Sequence, residues 1–85
     1  MHNLDMTLLA ARVRKERESR GWTQTALAQR AGLNLGNVNE LEQERKPGVH
    51  ADTIVALAEA LAVSSDYLLG LSDRRTTRGK TKTLP

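Results

Sequence analysis

The sequence predicts an all-α domain of five short helices, followed by a basic segment that has no helical pattern. Strand signals are weak, because phenylalanine is absent and Trp22 and Tyr67 are the only aromatic residues. The apolar residues are mostly leucine and alanine, which are strong helix formers. Glycine, asparagine and proline interrupt the apolar pattern at short intervals, so each helix must be short.

The first helix is predicted over about residues 7–20, where Leu9 and Val13 recur at helical spacing. Its N-terminus has two candidate caps, Asp5 and Thr7, because either side chain can accept a hydrogen bond from a free backbone N–H. The polar residues between the apolar positions, including Glu16, are interpreted as a solvated face of this helix.

The second helix is predicted over about residues 24–31. Thr23 can cap its N-terminus, Leu27 and Ala28 lie on one face, and Gly32 ends it.

The third helix, predicted over about residues 35–43 with Asn34 as its cap, follows the second after a turn of about three residues. Such a short turn makes the two helices cross at a steep angle. The crossing needs a small residue at the point of closest approach, which Ala28 supplies, and a positive φ in the turn, which Gly32 supplies. The pattern therefore predicts a helix-turn-helix. The outer face of its second helix carries Leu35, Gly36, Asn37, Asn39, Glu40 and Gln43.

Two further helices complete the domain. Residues 44–49 contain a Lys-Pro-Gly sequence and are predicted as a loop. A fourth helix over about residues 51–62 is indicated by apolar residues at the i, i+3, i+4 and i+7 positions counted from Ile54. Ser64 can cap a final short helix over residues 65–69.

The net charge of +3 is unevenly distributed. Residues 1–71, the predicted helix-turn-helix domain, carry −1, whereas residues 72–85 carry +4 and are predicted to be a disordered basic tail. Three interpretations of this tail stay open: a solvated end, a segment that follows DNA phosphates, or a segment for partner binding or degradation. Its basic residues are Arg74, Arg75, Arg78, Lys80 and Lys82.

Several classes of function are not expected. The chain has no cysteine, and His2 and His50 are far apart in the sequence, so we expect no metal site and no cofactor. No apolar run approaches the roughly 18 residues of a membrane span, and nothing in residues 1–5 resembles a signal peptide, so a cytoplasmic location without membrane contact is expected. The sequence shows no phosphate-binding glycine loop and no nucleophile with a nearby histidine. We therefore expect neither an enzyme nor a small-molecule ligand.

Beyond the helix-turn-helix pattern, the Gly-Trp-Thr-Gln segment 21–24, Glu42 and the segment 63–70 resemble motifs of the Cro/repressor-like (XRE) helix-turn-helix family. The resemblance covers about residues 9–70. It implies a compact five-helix, lambda-repressor-like fold that binds double-stranded DNA.

In this family the third helix lies in the major groove and its early residues contact base edges. The resemblance places Leu35, Gly36, Asn39 and Glu40 at the base-facing positions. Leu35 can pack on a thymine methyl group, and Glu40 can accept a hydrogen bond from cytosine N4. The residues that the resemblance places near phosphate are Thr23, Gln24, Asn37, Gln43, Arg45 and Lys46.

The charge of the third helix complicates this assignment. Glu40 and Glu42 give the helix a charge of −2 without a basic residue, so the helix ends, the 45–46 loop and the first helix must offset repulsion by phosphate. The alternative is a protein-interaction module on the same fold, such as an antitoxin or antirepressor, whose third helix docks on a protein.

The resemblance also implies two structural contacts. Arg17 of the first helix and Glu42 of the third occupy positions where the family commonly forms an ion pair. Leu68, Leu69 and Leu71 lie where the family often forms a two-fold dimer contact, and the alternative is that they fold back onto a monomeric core. Together these expectations describe a transcriptional regulator, most simply a repressor, that binds a pseudo-palindromic operator as a homodimer.

Overall fold

A computed structural model of the chain describes residues 5–45 and 48–75. These residues form five α-helices and no strand, which confirms the predicted fold class. No helix among them is long and apolar enough to cross a membrane. The helices are α1 (Met6–Ser19), α2 (Gln24–Ala31), α3 (Leu35–Glu42), α4 (Ala51–Leu61) and α5 (Ser65–Leu69).

Side-chain caps define where four of the five helices begin. Asp5, Thr23, Asn34 and Ser64 each accept a hydrogen bond from the backbone N–H three residues further along the chain, at 2.8–3.0 Å. Asp5 is thus the cap of α1. His50 precedes α4 and makes no capping hydrogen bond with its side chain.

Left-handed residues end three of the helices. Gly32 (φ +71°) follows α2, and the N–H of Leu33 donates to the carbonyl of Ala28 at 2.9 Å, which closes the tight turn before α3. Gly70 (φ +81°) ends α5 in the same way. Ala62 adopts φ +58° after α4, so this helix ends at residue 61, one residue earlier than predicted.

The core lies where α2 packs against α3 and α4, and where α1 packs against α3 and α5. It includes Leu68, whose side chain is fully buried. The prediction that Leu68 contributes to a dimer contact is therefore wrong, because α5 turns this side chain toward its own core. Leu69 is half-buried and Leu71 is 73 % exposed. The main core residues are Leu9, Val13, Leu27, Val38, Leu41, Ile54, Leu57 and Leu61.

Glu16 is buried with only 2 % of its surface exposed, so its assignment to a solvated face is wrong. Its carboxylate accepts hydrogen bonds from Arg20 at 2.9 Å, from Arg75 at 2.8 and 2.7 Å, and from the hydroxyl of Tyr67 at 3.3 Å. The hydrogen bond from Arg75 outweighs the effect of burial and lowers the pKa of Glu16 from 4.5 to about 2. An ion pair between the buried carboxylate of Glu16 and the half-exposed side chain of Arg75 thus joins the end of the described chain to α1.

Residues 72–75, which we call the C-terminal strap, contact the helices at several further points. Arg12 donates to the backbone carbonyls of Tyr67 at 2.5 Å and Ser72 at 2.9 Å. The backbone N–H of Ser64 donates to the carbonyl of Arg75 at 2.6 Å. This part of the predicted tail is therefore attached to the domain. The rest of the predicted tail, with Arg78, Lys80 and Lys82, lies outside the described residues.

Candidate nucleic-acid interface

The outward face of α3 is built from the four residues predicted to face bases. Leu35 and Asn39 lie one turn apart, as do Gly36 and Glu40, so the four residues form one continuous surface. Leu35 is 46 % exposed and Gly36 is exposed, while Asn39 and Glu40 are half-buried. This surface combines an apolar side chain, a position without a side chain, an amide and a carboxylate.

The N-terminus of α2 lies beside this surface. Gln24 contacts Asn39 directly, and Thr23 is exposed while its Oγ1 accepts the capping hydrogen bond from the N–H of Ala26. The backbone N–H groups of the first turn and the positive end of the helix dipole favour an anion here. The structure thus brings these two predicted phosphate-contacting residues next to the predicted base-facing surface.

The other predicted phosphate-contacting residues lie on or beyond α3. Gln43 ends the helix and is exposed, and Arg45 is exposed in the following loop. Asn37 is half-buried and lines a cavity of about 570 Å³ together with Leu41. Asn37 therefore lies between the core and the exposed face. Lys46 lies outside the described residues.

An ion pair between Arg17 and Glu42 supports α3 from behind. Arg17 Nε donates to Oε2 of Glu42 at 2.7 Å and its Nη2 donates to Oε1 at 3.0 Å, while Nη1 donates to the carbonyl of Trp22 at 2.8 Å. Glu42 is 1 % exposed, and the hydrogen bond to it raises the pKa of the Arg17 guanidinium above its usual value. One arginine thus connects α1, the loop before α2 and the end of α3 in a fixed geometry.

Two amide side chains extend this pair to the surface of α3. Gln24 Nε2 donates to Oε1 of Glu42 at 3.0 Å, and Asn39 Nδ2 donates to Oε1 of Gln24 at 3.1 Å. The sequence predicts separate contacts with DNA for Gln24 and Asn39, and nothing in it indicates that the two side chains meet. Their residue types allow the hydrogen bond, but only the crossing of α2 and α3 brings them together.

The comparisons with known proteins agree with this geometry. A family model described as helix-turn-helix matches residues 13–68. The chain belongs to this helix-turn-helix family. The resemblance to Cro/repressor-like proteins is thereby confirmed, and the fold of this helix-turn-helix domain is that of DNA-binding transcription regulators.

Individual relatives give the same result. The chain is 36 % identical over 69 residues to the HTH-type transcriptional regulator PrpR of Mycobacterium tuberculosis. The aligned residues make up 81 % of this chain but only 14 % of the length of that regulator. The solved structure of the P22 c2 repressor protein in complex with a synthetic operator is similar to this domain, with a TM-score of 0.69 and 28 % identity over 76 % of this chain and 97 % of that one. The restriction-modification controller protein C.AhdI of Aeromonas hydrophila is also similar, with a TM-score of 0.70 and 30 % identity over 75 % of this chain and 96 % of that one.

The buried position of Glu42 changes the electrostatics of the helix-turn-helix. Besides its pair with Arg17, the carboxylate lies 3.8 Å from Nε of Arg14, whose Nη2 donates to the backbone carbonyl of Glu42. The charge of Glu42 is therefore compensated inside the domain, and Glu40 is the acidic residue that α3 brings to its surface. In the sequence both carboxylates oppose DNA binding, whereas in the structure the charge of Glu42 is buried and paired with Arg17.

Proposed function

We propose that this protein is a transcriptional regulator, acting as a repressor, that binds a specific DNA sequence by placing α3 in the major groove. The observation that carries the proposal is the outward face of α3, which a buried ion pair holds in position beside the N-terminus of α2. A similar domain, that of the P22 c2 repressor, has been solved in complex with an operator, which supports double-stranded DNA as the ligand.

The contacts follow from the chemistry of the exposed residues. Leu35 offers apolar surface to a thymine methyl group, and Gly36 lets the helix backbone approach the floor of the groove. The first turn of α2, with Thr23 and Gln24, offers backbone N–H groups to one phosphate strand. Arg45, beyond the end of α3, offers a guanidinium to phosphate on the other flank.

The proposed repressor binds a pseudo-palindromic operator as a homodimer. A helix of eight residues contacts only a few base pairs, and a second copy about 34 Å away along the duplex multiplies the affinity. Leu71, which is 73 % exposed, and the half-buried Leu69 at the end of α5 provide apolar surface for the contact between copies.

Selection of bound duplexes from a random pool, followed by titration at physiological salt, tests the proposal. We expect a motif of two inverted half-sites about one DNA turn apart, bound at least a hundredfold more tightly than its scrambled counterpart. Equal affinity for both duplexes would overturn the proposal and favour a module that docks on a protein. Sedimentation of the complex should give two copies of the chain per duplex, and one copy would overturn the homodimer.

A further inference from the structure

The hydrogen bonds that link Glu42 through Gln24 to Asn39 on the exposed face of α3 can form in only one donor-to-acceptor order. A carboxylate that is paired with Arg17 can only accept hydrogen bonds. Gln24 must therefore present its Nε2 to Glu42, at 3.0 Å, which leaves its Oε1 to face Asn39. Because that oxygen also only accepts, Asn39 must present its Nδ2, and it does so at 3.1 Å.

Reversing either amide breaks this arrangement. Rotating the Gln24 amide would place Oε1 against a carboxylate oxygen of Glu42, and rotating the Asn39 amide would place two amide oxygens about 3.1 Å apart. Both rotations replace a hydrogen bond by repulsion between acceptors in a partly buried site, where such contacts are costly. Arg17 holds both oxygens of the carboxylate, so Glu42 cannot turn away to relieve the repulsion.

The direction of these bonds determines what Asn39 presents to a ligand. One N–H of Asn39 is used by Gln24, which leaves Oδ1 and the second N–H of the amide for a ligand. An acceptor and a donor side by side match adenine in the major groove, where N6 donates and N7 accepts. Guanine has the acceptor O6 in place of the N6 amino group, so its O6 and Oδ1 of Asn39 would be two acceptors facing each other.

We infer that Asn39 is the residue that selects adenine in each half-site, and that Gln24 acts as a positioning residue that fixes the amide of Asn39 for adenine and against guanine. The inference rests on the proposed function, since it requires α3 to lie in the major groove. Leu35 and Gly36, the other early residues of the surface, have no side-chain hydrogen-bonding group, which leaves a neutral amide at Asn39 to recognise a purine edge.

Base analogues test the contact on the unaltered full-length protein. In the selected operator, each adenine is replaced in turn by purine, which lacks the N6 amino group, or by 7-deazaadenine, which lacks N7. We expect one adenine per half-site at which either replacement weakens binding about tenfold. In Asn39→Ala, whose melting curve serves as the check on folding, the same replacements should change the affinity less than twofold.

A second variant tests the positioning role of Gln24. In Gln24→Ala the amide of Asn39 is free to rotate, so the preference for adenine over guanine at that position should fall about tenfold, while discrimination at other positions of the operator is retained. Gln29→Ala is the matched control, because Gln29 is an exposed glutamine of α2 that takes no part in the proposed DNA contacts, and its adenine preference should equal that of the wild type.

The possible failures are distinguishable. Wild-type protein that binds selected and scrambled duplexes equally would contradict the proposed function and, with it, this inference. A protein that discriminates between those duplexes, but tolerates purine at every adenine, would contradict the inference alone. An adenine preference that is the same in Gln24→Ala as in the wild type would overturn the positioning role.

Discussion

The guanidinium of Arg75 binds the buried carboxylate of Glu16 through two hydrogen bonds, with Nε 2.8 Å from Oε2 and Nη2 2.7 Å from Oε1. Glu16 lies in the middle of α1, whereas Arg75 belongs to the segment that the sequence predicts as a disordered tail. A carboxylate that is 2 % exposed requires compensation of its charge, and the C-terminal strap supplies part of it. The strap is therefore expected to contribute to the stability of the DNA-binding domain.

Removing the guanidinium of the strap should destabilise the domain. Arg75→Ala leaves Glu16 with Arg20 and Tyr67 as partners, so we expect Tm to fall by several degrees in thermal unfolding followed by circular dichroism. Arg74→Ala is the matched control, because Arg74 is exposed and its carbonyl, which accepts from Ser64, is retained in the variant. Equal Tm values for the two variants would show that the ion pair contributes nothing.

Glu16 should make stability depend on acid pH. Its pKa is about 2 in the folded domain, compared with an ordinary value of 4.5, so between these values the unfolded chain binds more protons. The contribution of Glu16 is fully present above about pH 5 and is lost as the pH falls toward 2. We expect Glu16→Gln to be less stable at pH 7 and to lose less stability between pH 5 and pH 2 than the wild type.

Urea unfolding at a series of pH values measures this difference. Glu59→Gln, a substitution at an exposed residue of α4, should retain the wild-type pH dependence. A Glu16→Gln profile as steep as that of the wild type would assign the acid sensitivity to other groups.

The buried partner of Arg17 should be among the most sensitive positions of the fold. Glu42→Ala leaves a guanidinium that is 12 % exposed without its carboxylate and removes the acceptor of Gln24. Breaking a buried pair from one side costs about 3 kcal/mol, a large part of the stability of a small domain. Urea denaturation should show this loss, whereas Glu59→Ala on the surface of α4 should change the free energy of unfolding by less than about 0.5 kcal/mol.

The left-handed residue after α4 offers a stabilising substitution. Ala62 has φ +58° and is exposed, so its Cβ is strained and makes little contact in return. Ala62→Gly should raise the free energy of unfolding by about 1 kcal/mol. Ala56→Gly, inside α4, should lower the free energy of unfolding by about 1 kcal/mol, because glycine in a helix interior increases the conformational entropy of the unfolded chain and relieves no strain. A lower free energy of unfolding for Ala62→Gly than for the wild type would show that the left-handed backbone of Ala62 is not strained.

Local signals in the sequence were sufficient for the helices. The caps at Thr23, Asn34 and Ser64 and the glycine at position 32 act within a few residues, which explains why the predicted helix boundaries differ from the structure by no more than one residue. In the sequence either Asp5 or Thr7 can cap α1, and in the structure Asp5 is the cap.

Contacts between distant residues were harder to predict. Glu16 lies three residues after Val13 and seven after Leu9, so its place on the buried face of α1 was detectable from spacing, but its charge favoured the surface. Its partner Arg75 is 59 residues away, beyond any local pattern. The same holds for Gln24 and Asn39, whose hydrogen bond depends on the crossing of two helices.

Gly36 lies on the face of α3 that we propose binds DNA, and a substitution there tests this proposal. A Cβ at this position would meet only Oδ1 of Asn34, at an ordinary 3.5 Å, and a carboxylate in the first turn of a helix is favourable. Gly36→Glu should therefore fold with a Tm equal to or above that of the wild type, while its bulk and negative charge close the surface to DNA.

The decisive measurement is the affinity of Gly36→Glu for the selected operator, compared with that of Val55→Glu, which places the same side chain on the exposed face of α4. Binding of DNA through α3 predicts a loss of at least a hundredfold for Gly36→Glu, with Val55→Glu close to the wild type. A folded Gly36→Glu protein that binds the operator as tightly as the wild type would contradict the binding of DNA through α3.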